Sequence, residues 1–199
     1  WWPRQYFGPT GRGAMRGATD SRPSRAEYLE LTAFLGALCL FFATIEYLFP
    51  KPLPFFRLGL ANLPILLSLQ VFPPSLILVV ILLKVLGQGL INGTLASYVF
   101  LFSAAGSFSS GLVMLAVHRL GRTKISLFGV SLFGAIASNV VQIFLSVTFI
   151  FGRSAWIIAP LFMGLGVASG GFVGWFASRF AERSQWFGRI RAYYVRAET

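Results

Sequence analysis

Charged side chains are scarce in most of this 199-residue sequence. They make up 12% of all residues, whereas a soluble domain carries about 25%. Between residues 31 and 118, Glu46, Lys51, Arg57 and Lys84 are the only charged side chains. Apolar residues account for 56% of the chain, and the mean hydropathy is +0.72. This composition excludes a soluble globular fold and predicts an all-α integral membrane protein.

Residue types that support catalysis and metal binding are equally few. The chain has one cysteine, Cys39, one histidine, His118, and one aspartate, Asp20. A single cysteine forms no intrachain disulfide, no His/Cys spacing suits a metal, and no Walker A motif is present. Glu46 is the single carboxylate within an apolar span, so no acid–base pair is predicted. We therefore expect no enzyme, no cofactor and no metal site, and no ATP hydrolysis by this chain itself.

The excess of basic residues lies in the two tails and in one short loop. The net charge is +11, and basic tails on a membrane protein are typical of the cytoplasmic side rather than of nucleic-acid binding. We interpret residues 1–30 as a flexible basic tail that lies on anionic lipid. Residues 179–199 mix aromatic and basic side chains in an amphipathic pattern, which predicts an interfacial helix.

Six apolar segments lie between these tails, within residues 31–178. They are residues 31–49, 58–72, 75–91, 96–117, 125–151 and 155–178. The second is short and contains Pro64, so it could be a short, broken or tilted span, or a re-entrant piece. Six crossings place thirteen Lys and Arg residues on one side and three on the other, whereas five crossings would separate the two basic tails. The positive-inside rule therefore favours six crossings of the cell membrane, with both termini cytoplasmic.

A proline-rich loop follows the first span. Pro50, Pro52 and Pro54 stand at alternate positions ahead of Arg57, and proline fixes the backbone and removes an N–H donor. This pattern predicts an extended, semi-rigid loop over residues 50–57. Such a loop could be a lid over a pocket, or only a surface connection between two spans.

Polar side chains within the spans indicate a candidate pocket. Glu46 near the end of the first span and Lys84 in the middle of the third are costly at bilayer depth, so both are expected to face the bundle interior. With Arg57 they could bind a ligand; alternatively, Lys84 could pair with Glu46 for structure, or snorkel. Asn139 and Gln142 are three residues apart and share one helix face, where their amides could bind a ligand or bond neighbouring helices.

Small residues line one side of the first span. Ala33 and Ala37 are four residues apart, and Gly36 lies between them. Such a small-xxx-small face permits close approach of another helix, either within the bundle or in another subunit.

Several short motifs resemble those of one family. They are Glu46 with Pro50-x-Pro52-x-Pro54, the run Arg57-Leu58-Gly59-Leu60-Ala61-Asn62, Lys84, Gly93-Thr94 with Ser97, the run Ser110-Gly111-Leu112-Val113-Met114, and Gly129-Val130-Ser131-Leu132-Phe133-Gly134-Ala135 with Asn139 and Gln142. Over residues 31–178 the chain resembles the Gx transporter family, often labelled heptaprenyl diphosphate synthase component I. That family usually has a histidine just before the asparagine of the fifth span, where this chain has Ser138.

The family is similar in size and topology to S components, the substrate-binding membrane subunits of energy-coupling factor (ECF) vitamin importers. The resemblance implies a six-helix bundle with cytoplasmic termini and an outward pocket that the loop after the first helix closes. It implies a small vitamin-like, flavin or isoprenoid/quinone-precursor ligand. It also implies a transmembrane coupling (T) subunit that contacts Ala33, Gly36 and Ala37, with ATPase subunits in other chains. The expected ligand-binding residues are Glu46, Arg57, Asn62, Lys84, Ser97, Asn139 and Gln142.

Two other functions are left open by the residues. The chain could be a non-catalytic membrane scaffold in a redox or prenyl-lipid synthesis complex, in contact with lipid and partner subunits but with no ligand of its own. It could also take part in prenyl diphosphate synthesis directly. Familiar enzymes of that kind use Asp-rich metal sites, whereas the single aspartate here, Asp20, lies in the N-terminal tail.

Overall fold

The computed structural model describes residues 23–48, 59–121 and 124–195, and in these ranges it is helical and contains no strand. Its elements in chain order are α1 (Arg25–Leu48), a 3₁₀ turn (Leu60–Asn62), α2 (Leu63–Ser68), α3 (Pro74–Ile91), α4 (Tyr98–Gly121), α5 (Leu127–Ser146), a π-helical turn (Val147–Phe151), a second 3₁₀ turn (Gly152–Ser154), α6 (Ala155–Arg183) and α7 (Gln185–Val195). The predicted proline-rich loop at residues 50–57 lies outside the described residues.

Four stretches of the described chain are long and apolar enough to cross a membrane. They are Arg25–Glu46, Pro74–Ile91, Tyr98–Gly121 and Leu127–Arg183. The last stretch has 57 residues and contains both α5 and α6, which are separated at Gly152, where φ is +55°. On α3, Leu78, Leu82 and Leu86 point outward and are 41%, 45% and 45% exposed. Because an apolar surface of this kind suits lipid rather than water, the chain is a membrane protein of the all-α class, as predicted.

The first helix begins at Arg25, earlier than the predicted span at residue 31. Ser24 and Glu27 cap its start, since the Ser24 N–H donates to Glu27 Oε2 at 2.6 Å and the Glu27 N–H donates to Ser24 Oγ at 3.2 Å. This capping box satisfies two N–H groups that would otherwise be unpaired. Residues 25–30, which their charge had placed in the tail, therefore form the first turns of α1.

Helices α5 and α6 pack closely through glycines. The Asn139 side chain fills the space that a Cβ at Gly166 would occupy, and Ser131 lies where a Cβ at Gly174 would point. The residue numbers on α5 fall as those on α6 rise, so the two helices are antiparallel. The missing Cβ atoms let the helix backbones approach each other, as small-xxx-small faces do in membranes.

Glycine contacts also give the directions of the other neighbouring helices. They are Gly89 with Phe100 and Gly111 with Ile81 between α3 and α4, Gly106 with Gln142 and Gly134 with Met114 between α4 and α5, and Gly36 with Leu83 and Gly87 with Leu40 between α1 and α3. The first two pairs of helices are antiparallel, because the numbers on one helix fall as those on the other rise. Helices α1 and α3 are parallel.

Residues 59–72 connect these two parallel helices by running back along α1. The Leu60 N–H donates to Glu46 Oε2 at 3.1 Å near the end of α1, and the Phe72 ring lies 6.3 Å from the Tyr28 ring near its start. The α2 helix within this segment has six residues, all buried, so protein covers its irregular ends as membrane depth requires. The direction of the chain thus alternates from each of these segments to the next: α1, residues 59–72, α3, α4, α5 and α6. The first residues of α1 and the last residues of α6 therefore lie at the same end of the bundle.

The short helix α7 packs against the start of α1. Tyr194 Oη donates to the Glu27 carbonyl oxygen at 3.0 Å, and the Tyr194 ring lies edge-on to Tyr28 with 4.9 Å between centroids. Phe187 is buried, whereas Arg189 is exposed. The helix is therefore amphipathic and lies within the predicted C-terminal segment.

Candidate functional site

Polar side chains from α1, the first 3₁₀ turn and helices α3 to α6 meet in one cavity, in the half of the bundle where α1 ends. The polar residues that line it are Glu46, Asn62, Lys84, Gln88, Ser107, Ser131, Ser138, Asn139, Gln142 and Ser169. The space between them is about 40 Å³, enough for about three water molecules. A vitamin-sized ligand therefore requires side chains or helices to move apart.

Glu46 is positioned by the turn that follows the loop. Gly59 has φ +77°, a left-handed conformation that glycine adopts without steric cost, and the 3₁₀ turn begins at the next residue. The Leu60 N–H then points at Glu46 Oε2 at 3.1 Å. Glu46 is only 3% exposed, so one of its carboxylate oxygens is held by the backbone inside the bundle.

Lys84 and Asn62 form a polar chain across three elements. Lys84 Nζ donates to Asn62 Oδ1, and Asn62 Nδ2 donates to Ser110 Oγ at 3.4 Å. Lys84 is 3% exposed, which contradicts the alternative that it snorkels to the membrane surface. Its ammonium is instead kept at the cavity, where it connects α3 to the 3₁₀ turn.

The two amides of α5 face the cavity as their spacing predicted. Asn139 Nδ2 donates to the Phe162 carbonyl oxygen at 3.3 Å, so this side chain also ties α5 to α6. Gln142 Nε2 donates to Ser138 Oγ one turn earlier at 3.2 Å. Gln142 is 2% exposed, and its carbonyl oxygen Oε1 has no hydrogen-bond partner among the described residues.

Comparison with known families identifies a match. The model of the family described as heptaprenyl diphosphate synthase component I matches residues 35–180, which is most of the chain and includes the whole cavity. The chain belongs to this family. No curated protein and no solved structure matches the chain.

Five of the seven predicted ligand-binding residues line the cavity, namely Glu46, Asn62, Lys84, Asn139 and Gln142. Arg57 lies outside the described residues. Ser97 caps α4 instead of lining the cavity: it accepts from the Phe100 N–H at 3.4 Å and donates to the Thr94 carbonyl oxygen at 2.7 Å. Capping of this kind satisfies an N–H at the helix start.

The three small residues predicted to contact a partner divide between two faces of α1. Ala33 and Ala37 are exposed. Gly36 is buried against α3, where an added Cβ would lie 3.2 Å from Leu83 Cδ1. Ala33 and Ala37 therefore lie on the outer face of α1, whereas Gly36 packs within the bundle.

Sequence reasoning missed Gln88 and two glycines of the cavity wall. Gln88 follows Lys84 by four residues, so it shares the same face of α3, and this spacing alone could have identified it. Gly166 and Gly170 line the cavity from α6. No sequence signal distinguishes a glycine that packs against a neighbouring helix from one that lies beside a ligand.

A second cavity, with a volume of about 300 Å³, lies between α1, α2, α6 and α7, and its wall is entirely apolar. Its lining residues are Leu31, Phe34, Leu35, Leu38, Phe42, Leu63, Leu67, Val71, Phe176, Phe180, Trp186, Phe187 and Ile190. The polar cavity and this apolar cavity share no lining residue. Within the described ranges, no three His, Cys, Asp or Glu side chains are grouped as metal ligands would be.

Proposed function

We propose that this chain is the substrate-binding membrane subunit, or S component, of an ECF-type importer. The polar cavity binds the substrate, a small vitamin-like, flavin or isoprenoid/quinone-precursor molecule, and subunits in other chains supply the energy. The observation that supports this most is the convergence of Glu46, Asn62, Lys84, Asn139 and Gln142 on one buried cavity. Ionisable and amide side chains inside membrane bundles are costly and accompany substrate paths.

The alternation of helix directions supports a six-crossing arrangement with both ends of the bundle on one side. If residues 59–72 cross the membrane, the start of α1 and the end of α6 share the side that carries most of the Lys and Arg residues. The positive-inside rule then makes that side cytoplasmic. The half of the bundle where α1 ends, which contains Glu46, faces outward, as an importer requires.

The exposed small residues of α1 support a contact with a transmembrane coupling subunit. Ala33 and Ala37 leave a shallow strip on the outer face of α1, and helices in membranes associate where small side chains let backbones approach. We place the coupling (T) subunit on this strip, with the ATPase subunits behind it.

The description of the family favours a second candidate function. A component I implies another synthase component as partner, and the chain would then be a membrane scaffold in prenyl-lipid synthesis. The apolar cavity of about 300 Å³ suits an isoprenoid or acyl chain, because its wall offers no polar group that burial would leave unpaired.

Native mass spectrometry of the purified protein in mild detergent tests the proposal. Small molecules that copurify are identified for the unmodified chain, for Lys84→Ala and for Lys124→Ala, in which an exposed lysine far from the cavity is removed. A stoichiometric compound that Lys84→Ala loses and Lys124→Ala retains is the expected result. Copurification of phospholipid alone, unchanged in Lys84→Ala, would contradict substrate binding and favour the scaffold.

A further inference from the structure

Two residues that line the polar cavity each carry a buried acceptor atom without a donor. Among the described residues, the buried side-chain oxygen and nitrogen atoms that lack a hydrogen-bond partner are Glu46 Oε1, Gln70 Oε1 and Gln142 Oε1. Glu46 and Gln142 line the cavity, and Gln70 does not. An unpaired buried acceptor destabilises the protein, and a charged one does so more strongly. A ligand in this cavity is therefore expected to supply a hydrogen-bond donor to each of the two oxygens.

Six donor groups around the cavity, by contrast, each donate a hydrogen bond within the protein. They are Lys84 Nζ with Asn62 Oδ1, Asn62 Nδ2 with Ser110 Oγ, Asn139 Nδ2 with the Phe162 carbonyl, Gln142 Nε2 with Ser138 Oγ, Ser131 Oγ with the Gly170 carbonyl and Ser169 Oγ with the Gly166 carbonyl. Each of these donor groups is thus satisfied at least once, whereas Glu46 Oε1 and Gln142 Oε1 have no hydrogen-bond partner among the described residues.

The charged side chains that line the cavity also restrict the charge that a bound ligand can carry. Glu46 and Lys84 are the charged side chains among the described residues that line it, and their formal charges cancel. A diphosphate head would add several negative charges beside the Glu46 carboxylate, and uncompensated charge at membrane depth is costly. A quinone head has only carbonyl acceptors, which cannot pair with Glu46 Oε1 or Gln142 Oε1.

We infer that the ligand has a neutral or singly cationic head with at least two N–H or O–H donors, one for Glu46 Oε1 and one for Gln142 Oε1. Amino-substituted and ureido heterocycles belong to this class, whereas isoprenyl diphosphates and quinones do not. This inference rests on the proposed function and selects among the substrates that it allows. A ligand that reaches these two oxygens without offering donors leaves both unpaired and loses affinity.

Thermal unfolding of the full chain in detergent, with millimolar probe compounds, tests the inference. The donor-bearing probes are 2-aminopyrimidine, 2-imidazolidinone and thiamine, and the acceptor-only probes are duroquinone and isopentenyl diphosphate. We expect at least one donor-bearing probe, and neither acceptor-only probe, to raise the unfolding midpoint. Binding of that probe should weaken roughly 10- to 100-fold in Glu46→Gln and in Gln142→Leu, since each loses one hydrogen bond of the kind that involves a buried or charged acceptor.

Matched controls keep the two variants interpretable. Glu30→Gln changes an exposed glutamate of the same helix, and Gln70→Leu removes the unpaired acceptor that lies outside the cavity; both should bind the probe like the unmodified chain. Binding of an acceptor-only probe, or probe binding that neither cavity variant weakens, would overturn the inference and leave the importer subunit standing. No shift with any probe would also overturn it, and would count against the importer subunit only if native mass spectrometry finds phospholipid alone.

Discussion

At the scale of single residues, helix packing and the cavity depend on the same side chains. Asn139 lines the cavity, donates to the Phe162 carbonyl oxygen at 3.3 Å and lies in the space beside Gly166. A change at Gly166 would therefore reach the cavity through Asn139 even though glycine itself has no side chain to contact a ligand.

Replacing Gly166 with alanine should destabilise the protein because the new methyl group collides with Asn139. Overpacking of this kind costs about 1–3 kcal/mol, which should appear as a lower thermal unfolding midpoint in detergent. Gly164→Ala is the control, because no atom lies within 4 Å of its added Cβ and alanine is the better helix former. Equal midpoints for the two variants would show that the Asn139 contact is not tight.

Four of the predicted site residues share one property. Each has a charged or an amide side chain within an apolar run of the sequence. Glu46, Lys84, Asn139 and Gln142 stand out for this reason, and all four line the cavity. Ser97 could not be separated from the cavity serines such as Ser107, because a serine can satisfy its hydroxyl within its own helix turn. Its role as a cap follows from the helix boundary, which sequence locates poorly.

At the scale of elements, α7 is held to the start of α1 by tyrosines. Tyr194 is 6% exposed and donates to the Glu27 carbonyl oxygen, while Tyr193 Oη donates to the Glu27 carboxylate at 3.3 Å. Burial raises the pKa of Tyr194 to about 12, so its phenol stays protonated and able to donate at neutral pH. This contact is independent of the cavity at the other half of the bundle.

Tyr194→Phe should lower the free energy of unfolding by about 1 kcal/mol, since it removes one hydrogen bond while the ring is kept. Tyr98→Phe, at a position that is 64% exposed, should change it little. Thermal unfolding in detergent measures both, and an unchanged midpoint for Tyr194→Phe would contradict a stabilising role for the contact with Glu27.

The same tyrosine predicts a pH dependence of stability. An unfolded tyrosine has a pKa of about 10, and the folded value for Tyr194 is about 12. Because the fold favours the neutral phenol, its contribution is complete below about pH 10 and is lost as the pH rises from there towards 12. Between pH 8 and 11 the unfolding midpoint of the unmodified chain should therefore fall further than that of Tyr194→Phe, and parallel curves would refute this.

The lengths of the apolar segments predicted most of the helices, but they did not predict the residues at which the helices begin and end. The first span was predicted to begin at residue 31, but α1 begins at Arg25. The Ser24–Glu27 capping box stabilises a helix start there although the first turns carry charged residues. Residues 59–72 left several alternatives open because their apolar run is too short for a regular span. Their course became clear only from tertiary contacts, those of Leu60 with Glu46 and of Phe72 with Tyr28, which no local pattern encodes.

At the scale of the whole molecule, the helix directions and the basic residues combine into one topological prediction. Ser24 and Lys124 lie at the ends of α1 and α5 that face the same way, and Ser154 lies at the opposite end, ahead of α6. If residues 59–72 cross the membrane, Ser24 and Lys124 share the cytoplasm. If they do not, Ser24 and Ser154 lie on one side of the membrane and Lys124 lies on the other.

Single cysteines at these positions distinguish the two topologies. In a Cys39→Ala background, which removes a fully buried thiol, Ser154→Cys should react with a membrane-impermeant maleimide on intact cells. Ser24→Cys and Lys124→Cys should react only after the cells are opened, because the positive-inside rule keeps the basic side in the cytoplasm. Labelling of only one of Ser24→Cys and Lys124→Cys on intact cells would mean that residues 59–72 do not cross and that the cavity is built on five spans.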